Sequence, residues 1–273
     1  MNTANHRTQQ ALLERILQLR ERTTRDQTGL HYIEGIRAVL SALDAGLHVD
    51  TLVLSEVLLQ NPYAQKRVRL AKRAGTRVVR VTPEEFRSVS GTARASGLGA
   101  IVHQHWTALE NADPRRGLCW IAVGALRSPG NLGTVLRTAE AAGAAGTIML
   151  AHPVDPFDPD VVRASMGGIF NLQLVRTSPA RLARWAREHG CVVVGTAPAG
   201  EVLYSDAPVD APLVLVLGEE RRGLTDAEQR LCTHTARIPM AGRADSLNVG
   251  VAAGVVLFDV LRRRGDSSAA GAS

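Results

Sequence analysis

The residues best placed to bind a ligand lie near the C-terminus, where Ile238 to Leu257 reads IPMAGRADSLNVGVAAGVVL. Pro239 and Gly242 hold the backbone away from regular pairing, so N–H and C=O groups are left to bond something other than a neighbouring strand. Ser246, Leu247 and Asn248 follow in the expected first turn of an apolar helix, whose Val249, Ala252, Ala253, Val256 and Leu257 give a face able to press close to a sheet. A loop of that shape can hold a ligand, although alone it equally fits the strand, loop and helix of any α/β protein. Two earlier stretches share the layout: VGALRSPGNLGTVLRTAEAAGA from Val123 to Ala144, and LVLGEERRGL from Leu215 to Leu224. Three such loops in one sheet lie at the carboxyl ends of their strands, where open α/β sheets bind ligands.

The usual cofactor signatures are missing. There is no GxGxxG, and the only lysines are Lys66 and Lys72, so the later part of the chain has no Walker A lysine; GNLG at 130–133 is by itself a weak nucleotide signal. Cys119, Cys191 and Cys232 are odd in number and outside any CxxC spacing, which argues against a disulfide framework or a zinc site and for small buried apolar residues. His103 and His105 fall on one face of a strand, but two histidines without a third ligand make a poor metal site.

The elements that must position these loops follow from the apolar pattern. Runs at CWIAVGAL, GTIMLA, LQLVR, CVVVGT, LVLVLG and ARIPM predict strands. Helical stretches lie between them, started by Asp158 before Pro159, Ser178 before Pro179, and Thr225 with Glu228 as a capping box. Buried runs alternating with helices predict an α/β fold with a mainly parallel sheet over residues 118–265. HWTALENADPRRG loses the periodicity, so 106–117 is expected to be a linker. Before it, residues 1–105 alternate helices and short strands and predict a small α/β domain. Its first helix carries Leu12, Leu13, Ile16, Leu17 and Leu19, and either touches a partner or covers the fold. The tail RRRGDSSAAGAS has no apolar content, and 266–273 is expected to be disordered.

A chain of 273 residues that is 45% hydrophobic can form two globular domains. No apolar run reaches a membrane span and the N-terminus lacks a signal peptide's apolar core, so a cytoplasmic protein is expected. The net charge of +6 points to an anionic partner. Its clearest focus is NPYAQKRVRLAKRAGTRVVR, from Asn61 to Arg80, with Lys66, Arg67, Arg69, Lys72, Arg73, Arg77 and Arg80 and no acid. Interleaved with Val68, Leu70 and Ala71, these charges fit a helix that packs one face and exposes a cationic one, the electrostatic footprint of a nucleic-acid binder. An ordinary solvated helix face usually mixes signs.

GNLGTVLRTA, GEERRGL and IPMAGRADSLNV resemble the three ordered motifs of the SpoU branch of the SPOUT RNA 2′-O-ribose methyltransferases, and RASMGGIFNLQLV from Arg163 to Val175 is a fourth match between the first and second. The resemblance covers most of the chain after Leu118. It implies a C-terminal trefoil knot that binds S-adenosyl-L-methionine, preceded by a small RNA-binding domain whose opening HYIEGIRAV resembles. In that domain His31, Glu34 and Arg37 are candidates to face RNA, and Glu34 could equally satisfy local backbone. The implied partners are RNA, with rRNA ahead of tRNA and no DNA, and a second copy in a homodimer. Some relatives confer antibiotic resistance. A tRNA enzyme, a non-catalytic RNA-binding or ribosome-associated protein, and an α/β enzyme using another nucleotide are the alternatives.

Carried over by motif, Asn131, Arg137, Glu220, Ser246 and Asn248 match the catalytic set, while Gly218, Ile238, Met240 and Leu247 fall where the knot encloses the cofactor. Gly223 matches a motif glycine. Glu219 departs from the pattern, since many members have Asn or Ser there; an extra carboxylate could alter the loop or approach the sulfonium. Methyl transfer from a sulfonium is an in-line displacement that needs the ribose oxygen aligned and its proton removed. Asn131 would orient the hydroxyl or a neighbouring phosphate, with Glu220 and Asn248 fixing the loops or Arg137. A guanidinium stays protonated, so Arg137 is better suited to gripping phosphate and stabilising a developing alkoxide than to acting as a base.

Overall fold

The computed structural model describes residues 3–124, 126–150, 154–210, 212–219 and 223–270, with only the backbone described at 3–6 and 266–270. Two units form: residues as far as His105 together with Asp155–Phe170, and Trp106–Val154 together with the chain from Asn171 onward.

In the first unit the order is α1 (Thr3–Gln18), α2 (Arg22–Thr28), β1 (Leu30–Glu34), α3 (Ile36–Asp44), β2 (Val49–Leu54), α4 (Pro62–Arg73), β3 (Arg77–Arg80), α5 (Pro83–Val89) and β4 (Leu98–His103). The sheet order is β1-β4-β2-β3, with β4 antiparallel to both neighbours and β2 parallel to β3. Leu12 and Ile16 of α1, with Leu19 just beyond it, are buried in one cluster with Phe86, Val89 and Ile101, so this helix covers the fold. The segment 155–170 is held to this unit by a buried ion pair, Arg25 Nε to Asp155 Oδ2 at 2.7 Å. Arg25 Nη1 also donates to the carbonyl oxygens of Leu19 (3.0 Å) and Arg20 (2.6 Å), and Nη2 lies 3.7 Å from Asp158 Oδ2.

The second unit's strands are β5 (Trp120–Val123), β6 (Gly146–Met149), β7 (Gln173–Arg176), β8 (Val192–Thr196), β9 (Val202–Leu203), β10 (Leu213–Leu217) and β11 (His234–Arg237). Between and after them run α6 (Pro129–Ala141), α7 (Pro159–Ala164, in the segment that joins the first unit), α8 (Pro179–Glu188), α9 (Asp226–Leu231) and α10 (Val249–Ala270). Every named pairing is parallel, in the order β7-β6-β5-β10-β8-β11-β9. The near-continuous apolar runs suit this, because helices cover both faces of a parallel sheet. The expected helix starts are present: Asp158 and Ser178 accept from the backbone N–H groups of Asp160 and Arg181, and Thr225 with Glu228 forms a capping box. The two-residue strand β9 has too short a pattern to be read from sequence.

Three boundaries differ from expectation. Residues 106–117 pack onto the second unit instead of hanging between the two: Leu109 and Ala112 are buried in its core and the Trp120 indole donates to the Asp113 carbonyl at 2.8 Å. Residues 155–170, expected inside the second domain, belong with the first. The α10 backbone is helical to Ala270, five residues past 265, since a helix already nucleated by its packed portion extends at one hydrogen bond per residue. Residues 271–273 lie outside the described residues. Among the described residues no helix is long and apolar enough to cross a membrane.

Candidate functional site

A cavity of about 600 Å³ opens at the carboxyl ends of the three neighbouring strands β10, β8 and β11. Gly218, Ile238, Met240 and Leu247, the four residues expected to hold the cofactor, all line it, as does Ser246. Backbone geometry builds the wall after β10. Glu219 and Gly223 exchange N–H···O bonds of 2.9 and 2.8 Å and pinch the loop shut. A Cβ on Gly218 would sit 2.4 Å from the Gly223 carbonyl carbon, so only glycine permits that closure. Glu220 lies outside the described residues. The opposite wall is the loop after β11, which stays irregular until α10 starts at Val249, later than the sequence pattern suggested.

Beside the cavity, a polar contact joins the starts of α6 and α10. Asn248 Nδ2 donates to Asn131 Oδ1 at 2.9 Å, and Asn248 Oδ1 accepts from the Gly250 N–H at 2.9 Å. Asn248 therefore caps α10 and contacts the first motif, rather than fixing Arg137. The approach is close because residue 250 is glycine: a Cβ there would lie 2.6 Å from the Thr134 methyl. Asn131 and Thr134 lie on the face of α6 that meets α10. Arg137 is exposed and has no ion pair among the described residues. None of Asn131, Arg137 and Asn248 is in the cavity wall.

Sequence reasoning missed the third wall, Thr196, Ala197 and Pro198 at the end of β8, and Asp245 in the loop before α10. The available signal was the carboxyl-end rule itself, which applies to every parallel strand and not only to those followed by glycine loops. Glu219 faces the cavity and its carboxylate, nearly buried, lies 3.5 Å from the exposed guanidinium of Arg127. The extra acid thus puts negative charge on the cavity wall. Size and lining suit S-adenosylmethionine: ligand cavities are roughly 300 to 1,000 Å³, apolar side chains are ready for an adenine, and a carboxylate is ready for a cationic sulfonium or amine.

In the first unit the expectations divide. His31 does not face solvent: it is fully buried against Phe157 and Phe170, with ring centroids 4.8 and 6.4 Å away, and burial pulls its pKa down to about 3. Segment 155–170 supplies both rings, which no local pattern reveals. Glu34 satisfies its surroundings, accepting from the Ser90 hydroxyl at 2.6 Å and the Gly91 N–H at 2.9 Å. Arg37 is exposed. His103 stacks on His48 at 4.1 Å, while His105 packs edge-on to Phe157. On α4, Ala64 and Val68 are buried, but Leu70 is exposed and not part of the packed face. Burial raises the thiols of Cys119 and Cys232 to about 12 and that of Cys191 to about 11, as expected of packing residues.

A parallel sheet with a cavity at its carboxyl ends, walled by one pinched and one irregular loop, defines an α/β ligand-binding domain, and known proteins specify it further. Residues 119–258 match the SpoU rRNA Methylase family and residues 12–100 match the MRM3-like substrate binding domain. The chain belongs to the SpoU rRNA methylase family. It is 30% identical over 253 residues to the 23S rRNA (uridine(2479)-2′-O)-methyltransferase of Streptomyces viridochromogenes, covering 90% of this chain and 87% of that one. An AdoMet-bound rRNA methyltransferase from Sinorhizobium meliloti is 34% identical and superposes with a TM-score of 0.84 over 92% of this chain and 94% of its own. The SpoU methyltransferase AviRb from Streptomyces viridochromogenes, in complex with AdoMet, is 30% identical, with a TM-score of 0.84 over 93% of this chain and 98% of its own.

Proposed function

We propose that this protein is an S-adenosylmethionine-dependent RNA 2′-O-ribose methyltransferase acting on ribosomal RNA. The observation that carries the reading is the coincidence of a single cavity walled by Gly218, Ile238, Met240 and Leu247 with the adjoining Asn248–Asn131 contact. S-adenosylmethionine, when bound, supplies an electrophilic methyl group. The protein's task is then to hold the ribose oxygen in line and stabilise charge as it develops. Asn131, oriented by Asn248, would position the 2′-hydroxyl or its phosphate. Arg137 would grip the phosphate as a fixed cation while the hydroxyl proton leaves to phosphate or water. Glu219 would face the cationic end of the cofactor.

The first unit would guide the RNA, and relatives that act on 23S rRNA favour rRNA over tRNA. The loops after β10 and β11 would form the trefoil knot of the family; support comes from β10 lying between β5 and β8, far from its place in chain order. A homodimer is the proposed assembly, because Val251, Phe258 and Leu261 leave an apolar stripe exposed on α10. Calorimetry should detect S-adenosylmethionine binding. Mapping ribose methylation in rRNA from cells with and without the gene should then reveal one gene-dependent site; unchanged methylation in both rRNA and tRNA would leave a binding protein, not an enzyme.

A further inference from the structure

A second cavity, of about 260 Å³, lies in the first unit between the end of β2, α4 and β3. Its floor is apolar: Leu54, Leu59 and Val68 are buried, and Val78 of the edge strand closes one side. Its rim is cationic, with Arg69 and Lys72 one turn apart on α4 and Arg80 on β3. The only acid on the rim is Glu56, 2.5 Å from Arg80 Nε. The other cations of α4 are used differently. Arg67 is committed to Asp44 at 2.5 Å and to the Tyr63 hydroxyl at 3.3 Å, whereas Arg69 and Lys72 are exposed and have no carboxylate partner among the described residues.

An apolar slot with unpaired cations at its lip fits a planar apolar ring joined to phosphate. At 260 Å³ it falls below the roughly 300 to 1,000 Å³ of sites for whole drug-sized ligands, so it suits one base better than a complete nucleotide cofactor. Single-stranded RNA offers such rings, because its unpaired bases can be splayed out and stacked on side chains or guanidinium planes, while paired bases cannot. We propose that this pocket takes one unpaired nucleobase of the substrate RNA, with Arg69 and Lys72 holding the flanking phosphates. The assignment rests on the RNA-methyltransferase reading and adds to it a selective element: the first unit distinguishes looped from fully paired RNA, instead of attracting any polyanion.

The test compares two fluorescein-labelled RNAs of equal length, a stem-loop with an unpaired loop and a fully paired duplex, by anisotropy. Val78→Trp fills the slot from the edge strand and leaves the cations in place. It should weaken stem-loop binding about tenfold, with duplex affinity and calorimetric S-adenosylmethionine affinity unchanged. Equal weakening of both RNAs, or none, overturns the pocket but leaves a general cationic surface. Wild-type protein that binds neither RNA removes the RNA reading and the pocket with it. The wild type gives an independent check should Val78→Trp fail to fold: a stem-loop carrying 4-thiouridine in its loop should photo-crosslink to peptides from residues 54–80. Crosslinks confined to other segments refute the assignment.

Discussion

Replacing Arg137 isolates the chemical step because the structure gives that side chain little else to do. It projects from the middle of α6, is exposed, forms no ion pair among the described residues and takes no part in the cavity wall. Alanine and lysine are both good helix formers, and surface substitutions of this kind shift stability by about 0.5 kcal/mol or less. Cofactor affinity should be unchanged too. If Arg137 acts as a fixed cation on the phosphate and developing alkoxide, Arg137→Ala removes a contact made mainly in the transition state. That should cost about 3 to 4 kcal/mol, or roughly a hundredfold to a thousandfold in rate. Arg137→Lys keeps the charge but loses the planar fork, so activity should be partial. The assay is single-turnover transfer of tritiated methyl to the RNA substrate across a pH series, with melting temperature and S-adenosylmethionine affinity measured alongside. Full activity in Arg137→Ala would remove the residue from the site. A Lys variant whose acidic limb moves towards a lysine pKa would show that position 137 serves as the base, since an amine deprotonates far more readily than a guanidinium.

Other consequences follow from particular contacts. Leu247→Trp projects a large ring into the cavity and should reduce S-adenosylmethionine affinity at least about tenfold, the effect of roughly 1.4 kcal/mol of overpacking; normal affinity in a folded variant would contradict the assigned pocket. Asn131→Ala and Asn248→Ala should be non-additive in rate, because each removes one side of the same 2.9 Å bond; a double-mutant cycle with no coupling would deny that Asn248 orients Asn131. Asp155→Ala leaves the buried Arg25 guanidinium with only the more distant carboxylate of Asp158, 3.7 Å away, and should destabilise the protein by about 3 kcal/mol in denaturant titration. His31, depressed from 6.5 to about 3, is neutral when folded but takes up a proton when unfolded below pH 6.5, so its contribution is present above that pH and is lost as pH falls towards 3. The slope should approach about 1.4 kcal/mol per pH unit, and His31→Phe should flatten it; an unchanged slope would place the acid sensitivity elsewhere.

The sequence by itself determined the type and order of the second unit's main elements. Short Val-rich apolar runs such as LVLVLG and CVVVGT, alternating with helical stretches, fit strands covered on both faces, and the Asp-Pro, Ser-Pro and Thr/Glu helix starts are local hydrogen-bonding chemistry. The resemblance to the SpoU motifs implied the cavity residues Gly218, Ile238, Met240 and Leu247, since motif order survives even when the path between motifs is unknown. Tertiary structure decided what depends on partners distant in the chain. Only folding sets β10 between β5 and β8, which adds the end of β8, with Pro198, to the cavity. His31 sits in a strand and carries a polar ring, so nothing local distinguishes a solvent-facing position from a buried one; Phe157 and Phe170, arriving from a segment more than a hundred residues later, make it part of the core. Charge pattern placed the cations along α4, but their pairing is long-range. Asp44 claims Arg67 while Arg69 and Lys72 remain at a pocket lip, because side-chain electrostatics depend on distance in space, and sequence separation does not fix that distance.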